Sequence, residues 1–66
     1  MEEYIGSAVK IPSWPDTYMI TGFERSESLN MTLVCLRHAD KSFETKVNIS
    51  IIKFPDGSYL LDKVKK

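Results

Sequence analysis

Cys35, His38 and Asp40 are neighbouring side chains that could carry chemistry, either as a thiol nucleophile with its base or as metal ligands. Residues three apart on a strand point to opposite faces, which would separate the thiol from the imidazole. A closed zinc site needs four ligands, and the sequence contains one cysteine and one histidine. We therefore expect Cys35 to be a small core residue and His38 an exposed turn residue, with no metal ion and no cofactor.

Catalytic motifs are missing from the rest of the sequence as well. It has neither a glycine-rich phosphate loop nor a glycine-serine nucleophile elbow. A chain of 66 residues buries roughly 60% of the surface that it exposes when unfolded, so we expect no deep catalytic cleft. We predict that the protein is not an enzyme; a minimal enzyme would need catalytic groups from across an oligomer interface.

The segment around Trp14 is the strongest candidate for a binding site. Pro12 and Pro15 hold this large aromatic residue in a stiff loop, and rigid tryptophan and tyrosine side chains make good anchors at protein interfaces. A polar connection at residues 25–30 is expected to be exposed. The predicted protein-binding residues are Trp14, Asp16, Tyr18, Arg25, Glu27 and Leu29. In the alternative interpretation, Trp14 folds back as a lid over one end of the core.

The net charge of the chain favours binding to neither nucleic acid nor anionic lipid, because nine acidic residues balance nine basic ones. The distribution is uneven, since basic residues are in excess in the second half of the chain. The alternative function is therefore a nucleic-acid-binding surface, in which lysines meet phosphates and an aromatic ring stacks on bases. The residues of this surface are Lys46, Lys53, Tyr59, Lys63, Lys65 and Lys66.

The elements that must position these side chains are predicted to be strands. Residues 43–51 alternate apolar and polar side chains, the period of a strand with one wet face. Residues 54–58 read Phe-Pro-Asp-Gly-Ser, a turn sequence that predicts a hairpin into a last strand near Tyr59. Further strands are predicted at residues 8–11, 17–24 and 31–37, with the fourth extending to about residue 52 and no convincing helix.

Two local features refine this picture. Gly22 lies within the second predicted strand, where it allows a bulge or a bend. The third strand is apolar on both faces, which predicts that something covers its outer side. We expect the N-terminal tail around Tyr4 to be that cover.

The order of these elements resembles that of SH3-like and Tudor-like barrels, in which a long first loop precedes a meander and a tight turn precedes the final strand. The resemblance is architectural, spans residues 8–61, and lacks the acidic, tyrosine-bearing loop of signalling SH3 domains. It implies an all-β, five-stranded SH3-like (Tudor-like) barrel in which the loop after the first strand helps to line a groove for peptides or methylated side chains. A five-stranded OB-like barrel is the alternative, although that fold is usually longer and contains a helix.

We predict one domain over residues 1–66, with residues 1–7 as a tail and residues 63–66 as a frayed end. No apolar run is long enough for a membrane span, and a single cysteine fits the reducing cytoplasm. Small size suggests an adaptor or inhibitor that occupies a partner protein, like the small accessory proteins of phages and bacteria. A homodimer could form through an edge strand such as residues 8–11.

Overall fold

Four antiparallel strands form one curled sheet in the computed structural model, which describes residues 1–64. The strands lie in chain order, and each pairs with the next. They are β1 (Ala8–Val9), β2 (Tyr18–Ser26), β3 (Met31–His38) and β4 (Glu44–Asn48). The 3-10 helices Glu2–Tyr4 and Ile49–Ile51 and the short helix α1 (Leu60–Val64) complete the structure of the described residues. The predicted all-β class is confirmed at this level.

The predicted closing strand is wrong. Tyr59 forms a single isolated bridge with Lys53, and the chain then enters α1. The apolar residues Leu60, Leu61 and Val64 have a helical spacing, and Leu60 is fully buried, so a helix turns this face inward where a strand would alternate. The prediction that the chain contains no helix is therefore also wrong.

The turn at residues 54–58 forms as its sequence predicts, although it does not join two full strands. Gly57 has a φ of 93°, a conformation that glycine adopts without strain. The amide of Phe54 donates to the carbonyl of Ser58 at 2.8 Å, and the Asp56 carboxylate accepts from the amide of Ser58 at 2.9 Å. These bonds aim the chain at the core, where α1 begins.

The hydrophobic core lies on the inner side of the curled sheet. Side chains on β2 and β3 alternate as expected, with Tyr18 and Ile20 of β2 and Val34 and Leu36 of β3 buried. The amide of Leu60 donates to the carbonyl of Ile52 at 3.0 Å, which fixes α1 against this core. The buried apolar residues are Val9, Ile11, Tyr18, Ile20, Val34, Leu36, Ile49, Ile52 and Leu60.

A β-bulge interrupts β2 where glycine predicts one. Ile20 pairs with Leu36 and Gly22 pairs with Cys35, so Thr21 is an extra residue without a partner in the register. The bulge bends the long hairpin formed by β2 and β3, which lets a sheet of four strands curl around the core.

The fourth strand is shorter than its alternating sequence predicts. It ends at Asn48, whose side-chain oxygen accepts from the amide of Ser50 at 2.8 Å and so caps the 3-10 helix Ile49–Ile51. The helix changes the phase of burial: Ile49 and Ile52 are buried, whereas Ile51 is 38% exposed. A local hydrogen bond therefore overrides the period-two pattern.

We expected the N-terminal segment to cover the outer side of β3, but it does not. Its 3-10 helix Glu2–Tyr4 places the ring of Tyr4 5.8 Å from that of Phe54, next to the turn before α1. At the other end of the chain, Lys63 and Val64 belong to α1, and residues 65–66, part of the predicted frayed end, lie outside the described residues. No helix within residues 1–64 is long and apolar enough to cross a membrane.

Candidate functional site

A tight turn between β1 and β2 presents Trp14. The amide of Trp14 donates to the carbonyl of Ile11 at 3.1 Å, and Ser13 between them has a φ of 74°. Pro12 supplies the fixed φ of the preceding position, so the four residues have the pattern of a type II turn. The turn therefore fixes the position of Trp14 through a backbone hydrogen bond.

Three aromatic rings meet where this turn approaches the connection between β3 and β4. The ring centre of Tyr18 is 5.5 Å from that of Trp14 and 6.5 Å from that of Phe43. Tyr18 is 5% exposed, whereas Trp14 is 37% and Phe43 50% exposed. The amide of Ala39 donates to the carbonyl of Thr17 at 3.1 Å and ties the two connections together. We call this group, with Asp16 and His38, the aromatic end of the sheet.

His38 lies inside the aromatic end, and the prediction that it is an exposed turn residue is wrong. It is 7% exposed, and its ring packs edge-on against Tyr18 with centres 5.3 Å apart. Nδ1 accepts from the amide of Asp40 at 3.0 Å, and Nε2 lies 2.8 Å from a carboxylate oxygen of Asp16. This close approach of Asp16 does not have the geometry of a hydrogen bond, so Nε2 is a buried nitrogen without a hydrogen-bond partner among the described residues.

The remaining predicted protein-binding residues lie at the other end of the sheet. Ser26 pairs with Met31 at the tip of the β2–β3 hairpin, whereas Tyr18 pairs with His38 at its base. Arg25 donates from Nη2 to the side-chain oxygen of Asn30 at 2.6 Å, and Glu27 and Leu29 are exposed. The structure therefore brings together Trp14, Asp16 and Tyr18 but separates them from Arg25, Glu27 and Leu29.

Cys35 faces the outer side of the sheet rather than the core, contrary to our expectation. It is half-buried in a groove of about 690 Å³, and its sulfur lies 3.6 Å from a carboxylate oxygen of Glu24. Burial raises the pKa of the thiol, and the Glu24 carboxylate raises it further. A thiol held in its neutral form is a weak nucleophile.

The predicted lysine surface is divided among several contacts. Lys46 pairs with Glu24, which lowers the pKa of that carboxyl. The ammonium of Lys53 lies 5.0 Å from the ring centre of Tyr59, and that of Lys63 lies 5.4 Å from the ring centre of Phe54. Lys65 and Lys66 lie outside the described residues.

Sequence reasoning missed Phe43 and His38 as members of the aromatic end. The alternating pattern places Phe43 on the dry face of a strand, but the strand starts one residue later, which leaves the ring half exposed. A signal for His38 was present: Val34 and Leu36 face inward, so period two places residue 38 inward as well.

The side chains of the aromatic end do not by themselves identify a function. Within residues 1–64, no three side chains of the usual metal-binding types cluster. The aromatic end can instead offer two exposed rings and one carboxylate to another molecule. No family model matches the chain, and neither a curated protein nor a solved structure shows significant similarity to it.

Proposed function

We propose that the protein is a non-enzymatic binding module that docks onto another protein through the aromatic end. The observation that carries the proposal is the exposure of Trp14 (37%) and Phe43 (50%) on both sides of the buried Tyr18. Large aromatic side chains exposed beside each other are costly in water and are enriched at the centres of protein interfaces.

The geometry of the aromatic end supports this proposal because its rings are held before any partner arrives. Trp14 is fixed by the turn hydrogen bond to Ile11 and by the ring of Tyr18 beneath it. A ring that is already ordered loses little conformational entropy on binding. Asp16 keeps 47% of its side chain exposed and adds a negative charge at the rim. The partner surface that fits has an apolar side chain for the rings and a basic group for Asp16.

An adaptor or inhibitor role follows from this mode of action, since a module without catalytic groups acts by occupying or reshaping its partner. Among adaptors and inhibitors, the small accessory proteins of phages and bacteria remain the proposed class. The cytoplasm is the proposed location, where the free thiol of Cys35 would stay reduced. We also propose that the fold is a reduced SH3-like barrel, in which the isolated Lys53–Tyr59 bridge takes the place of the final strand.

Nucleic-acid binding through the lysine surface is the alternative, and it has less support. The ammonium of Lys53 lies over the ring of Tyr59, so a base would have to displace it before stacking on that face. Lys46 is already paired with Glu24. Salt separates the two functions, because phosphate-driven binding should fall steeply between about 50 and about 200 mM salt.

Affinity capture from a lysate of the source organism tests the proposal, with nuclease treatment and washing at about 200 mM salt. The bait variants are Trp14→Ala and, as a matched control, Ile51→Ala. Ile51 is 38% exposed, close to the 37% of Trp14, but lies beyond the far end of β4. We expect one stoichiometric protein with the wild type and Ile51→Ala and its loss with Trp14→Ala. Equal capture by all three baits, or capture that nuclease abolishes, would contradict the proposal.

A further inference from the structure

The two edges of the sheet differ in how far the described residues cover them. Lys10, the residue after β1, is joined to Lys53 by two backbone hydrogen bonds of 2.7 and 2.9 Å, so the edge at β1 is partly covered by the segment before α1. β4 lies at the other edge, and within the described residues its neighbour in the sheet is β3. An edge of this kind can pair with a further strand.

The register shows which backbone groups of β4 point outward. The amide of His38 donates to the carbonyl of Phe43 at 2.8 Å, which makes these two residues a hydrogen-bonded pair. Hydrogen-bonded pairs alternate along an antiparallel ladder, so Thr45 and Val47 also bond to β3. The amides and carbonyls of the intervening residues, Glu44 and Lys46, therefore point away from the sheet.

We propose that β4 is a self-association edge, which pairs antiparallel with β4 of a second copy around a two-fold axis at Thr45. Charge decides the register. An axis at Glu44 would set two carboxylates against each other, and an axis at Lys46 would set two ammonium groups against each other. The axis at Thr45 places Glu44 of each copy opposite Lys46 of the other, so both cross-strand pairs join unlike charges.

The apolar side chains agree with the same register. With the axis at Thr45, Phe43 of each copy lies opposite Val47 of the other on the inner face of the joined sheet. Phe43 is 50% exposed and Val47 is half-buried, so pairing covers apolar surface that the single chain leaves in water. In the dimer, Trp14 and Asp16 are therefore the part of the aromatic end that a different protein can contact. Two sheets of four strands would become one of eight.

The charged pairs select the register more than they supply the affinity. Glu44 already accepts from Arg37 at 2.8 Å, and Lys46 already pairs with Glu24, with all four side chains about half exposed. Exposed ion pairs contribute little, so backbone hydrogen bonds and the Phe43–Val47 contacts drive the association. An interface of one short strand is small, and the dimer is therefore of the weak, concentration-dependent class.

Charge-reversal variants test the pairing by sedimentation equilibrium from about 10 µM to about 1 mM, a range that brackets weak dimers. Glu44→Lys leaves two lysines in each outward row, and Lys46→Glu leaves two glutamates, so each variant alone should dimerise at least about tenfold more weakly than the wild type. A mixture of the two variants pairs unlike charges again and should form a heterodimer as strong as the wild-type dimer. Ile5→Ala, an exposed position before β1 at the opposite edge of the sheet, should leave dimerisation unchanged.

Hydrogen exchange supplies a readout that does not depend on any variant. On dilution, the amides of Glu44 and Lys46 should lose protection, while those of Thr45 and Val47, which bond to β3, should keep it. A wild-type protein that is monomeric at about 1 mM, or a mixture of variants that fails to dimerise although each variant is folded by circular dichroism, would overturn the proposal. Equal protection of all four amides at every concentration would overturn it too.

Discussion

Nε2 of His38, buried at the end of β3, lies 2.8 Å from a carboxylate oxygen of Asp16, which precedes β2 and is half exposed. The contact joins a residue of the sheet to the loop that carries Trp14. The bond from the amide of Ala39 to the carbonyl of Thr17 is a second tie between the same segments. The histidine thus acts as a structural support beneath the aromatic end.

Replacing His38 should lower the free energy of unfolding by more than replacing an exposed polar residue, because its ring is buried. His38→Ala removes a ring packed against Tyr18 and the acceptor for the amide of Asp40. We expect a loss of about 2 kcal/mol in the free energy of unfolding, measured by urea denaturation. Lys41→Ala, an exposed neighbour in the same connection, should change stability by less than about 0.5 kcal/mol. Equal effects of the two substitutions would contradict the supporting role.

The sequence predicts the aromatic end in part. Pro12, Pro15 and Trp14 indicate a stiff loop with an exposed ring, and the structure has that loop. The partner elements were missed because their positions depend on where β3 ends and β4 begins, and strand ends are the least determined part of a pattern. Extending β3 by one residue turns His38 from a solvent-facing turn residue into a buried one.

The C-terminal helix shows the same limit more sharply. Its prediction as a strand rests on the turn at residues 54–58, which does form. The conformation of the segment after a turn depends on the surface against which it packs. Here Leu60 packs in the same core cluster as Ile52. Residues 59–64 contain both a strand-like aromatic start and a helical apolar spacing, and tertiary packing selects the second.

Leu60→Ala should therefore destabilise the whole domain, not just its end. Leu60 is fully buried, and truncation of a buried leucine leaves a cavity, so we expect a loss of about 3 kcal/mol in the free energy of unfolding. Leu29→Ala is the control, because Leu29 is 60% exposed and its truncation should cost less than about 0.5 kcal/mol. A loss below about 1 kcal/mol for Leu60→Ala would mean that α1 is not part of the core.

Cys35 should react slowly with alkylating reagents at neutral pH. Its raised pKa means that the thiolate, the reactive form, is scarce until the pH rises above the ordinary thiol range. The rate of modification by iodoacetamide at pH 7 should lie below that of N-acetylcysteine and climb with pH. The same shift has a stability sign: the neutral thiol is preferred in the folded state, so its contribution is present below the unfolded-state pKa and is lost as the pH rises through the folded-state pKa.

Glu24→Gln tests the part of this shift that comes from the Glu24 carboxylate, through its hydrogen bond and its charge. Removing the carboxylate also leaves the ammonium of Lys46 unpaired near the sulfur, and both changes favour the thiolate. The alkylation rate at neutral pH should therefore rise, because a larger fraction of the thiol is in the reactive thiolate form. Glu27→Gln, an exposed acid at the hairpin tip, is the matched control and should not change the rate. Indistinguishable rates for the two variants would show that burial alone holds the thiol neutral.

Substitutions of Trp14 and of Tyr18 should differ in their effect on the free energy of unfolding. Tyr18 is 5% exposed, and Tyr18→Ala should cost about 3 kcal/mol or more in the free energy of unfolding. Trp14 keeps 37% of its surface in water and makes one aromatic contact with Tyr18, so Trp14→Ala should cost about 1 kcal/mol. Unfolding is best followed by circular dichroism, because Trp14 is the one tryptophan of the chain and its fluorescence is lost in the variant.

The size of the Trp14 effect decides between an anchor and a lid. A side chain that mainly covers the core is needed for folding, so a lid would cost about 3 kcal/mol or more when truncated. A side chain kept for a partner can be removed from the free protein at small cost, yet its loss should abolish partner capture. A large loss of stability with Trp14→Ala would move the ring into the core and remove the main support for docking at the aromatic end. A small loss of stability, together with failure to capture the partner protein, would mean that the two prolines and Tyr18 hold Trp14 in place for another molecule to bury.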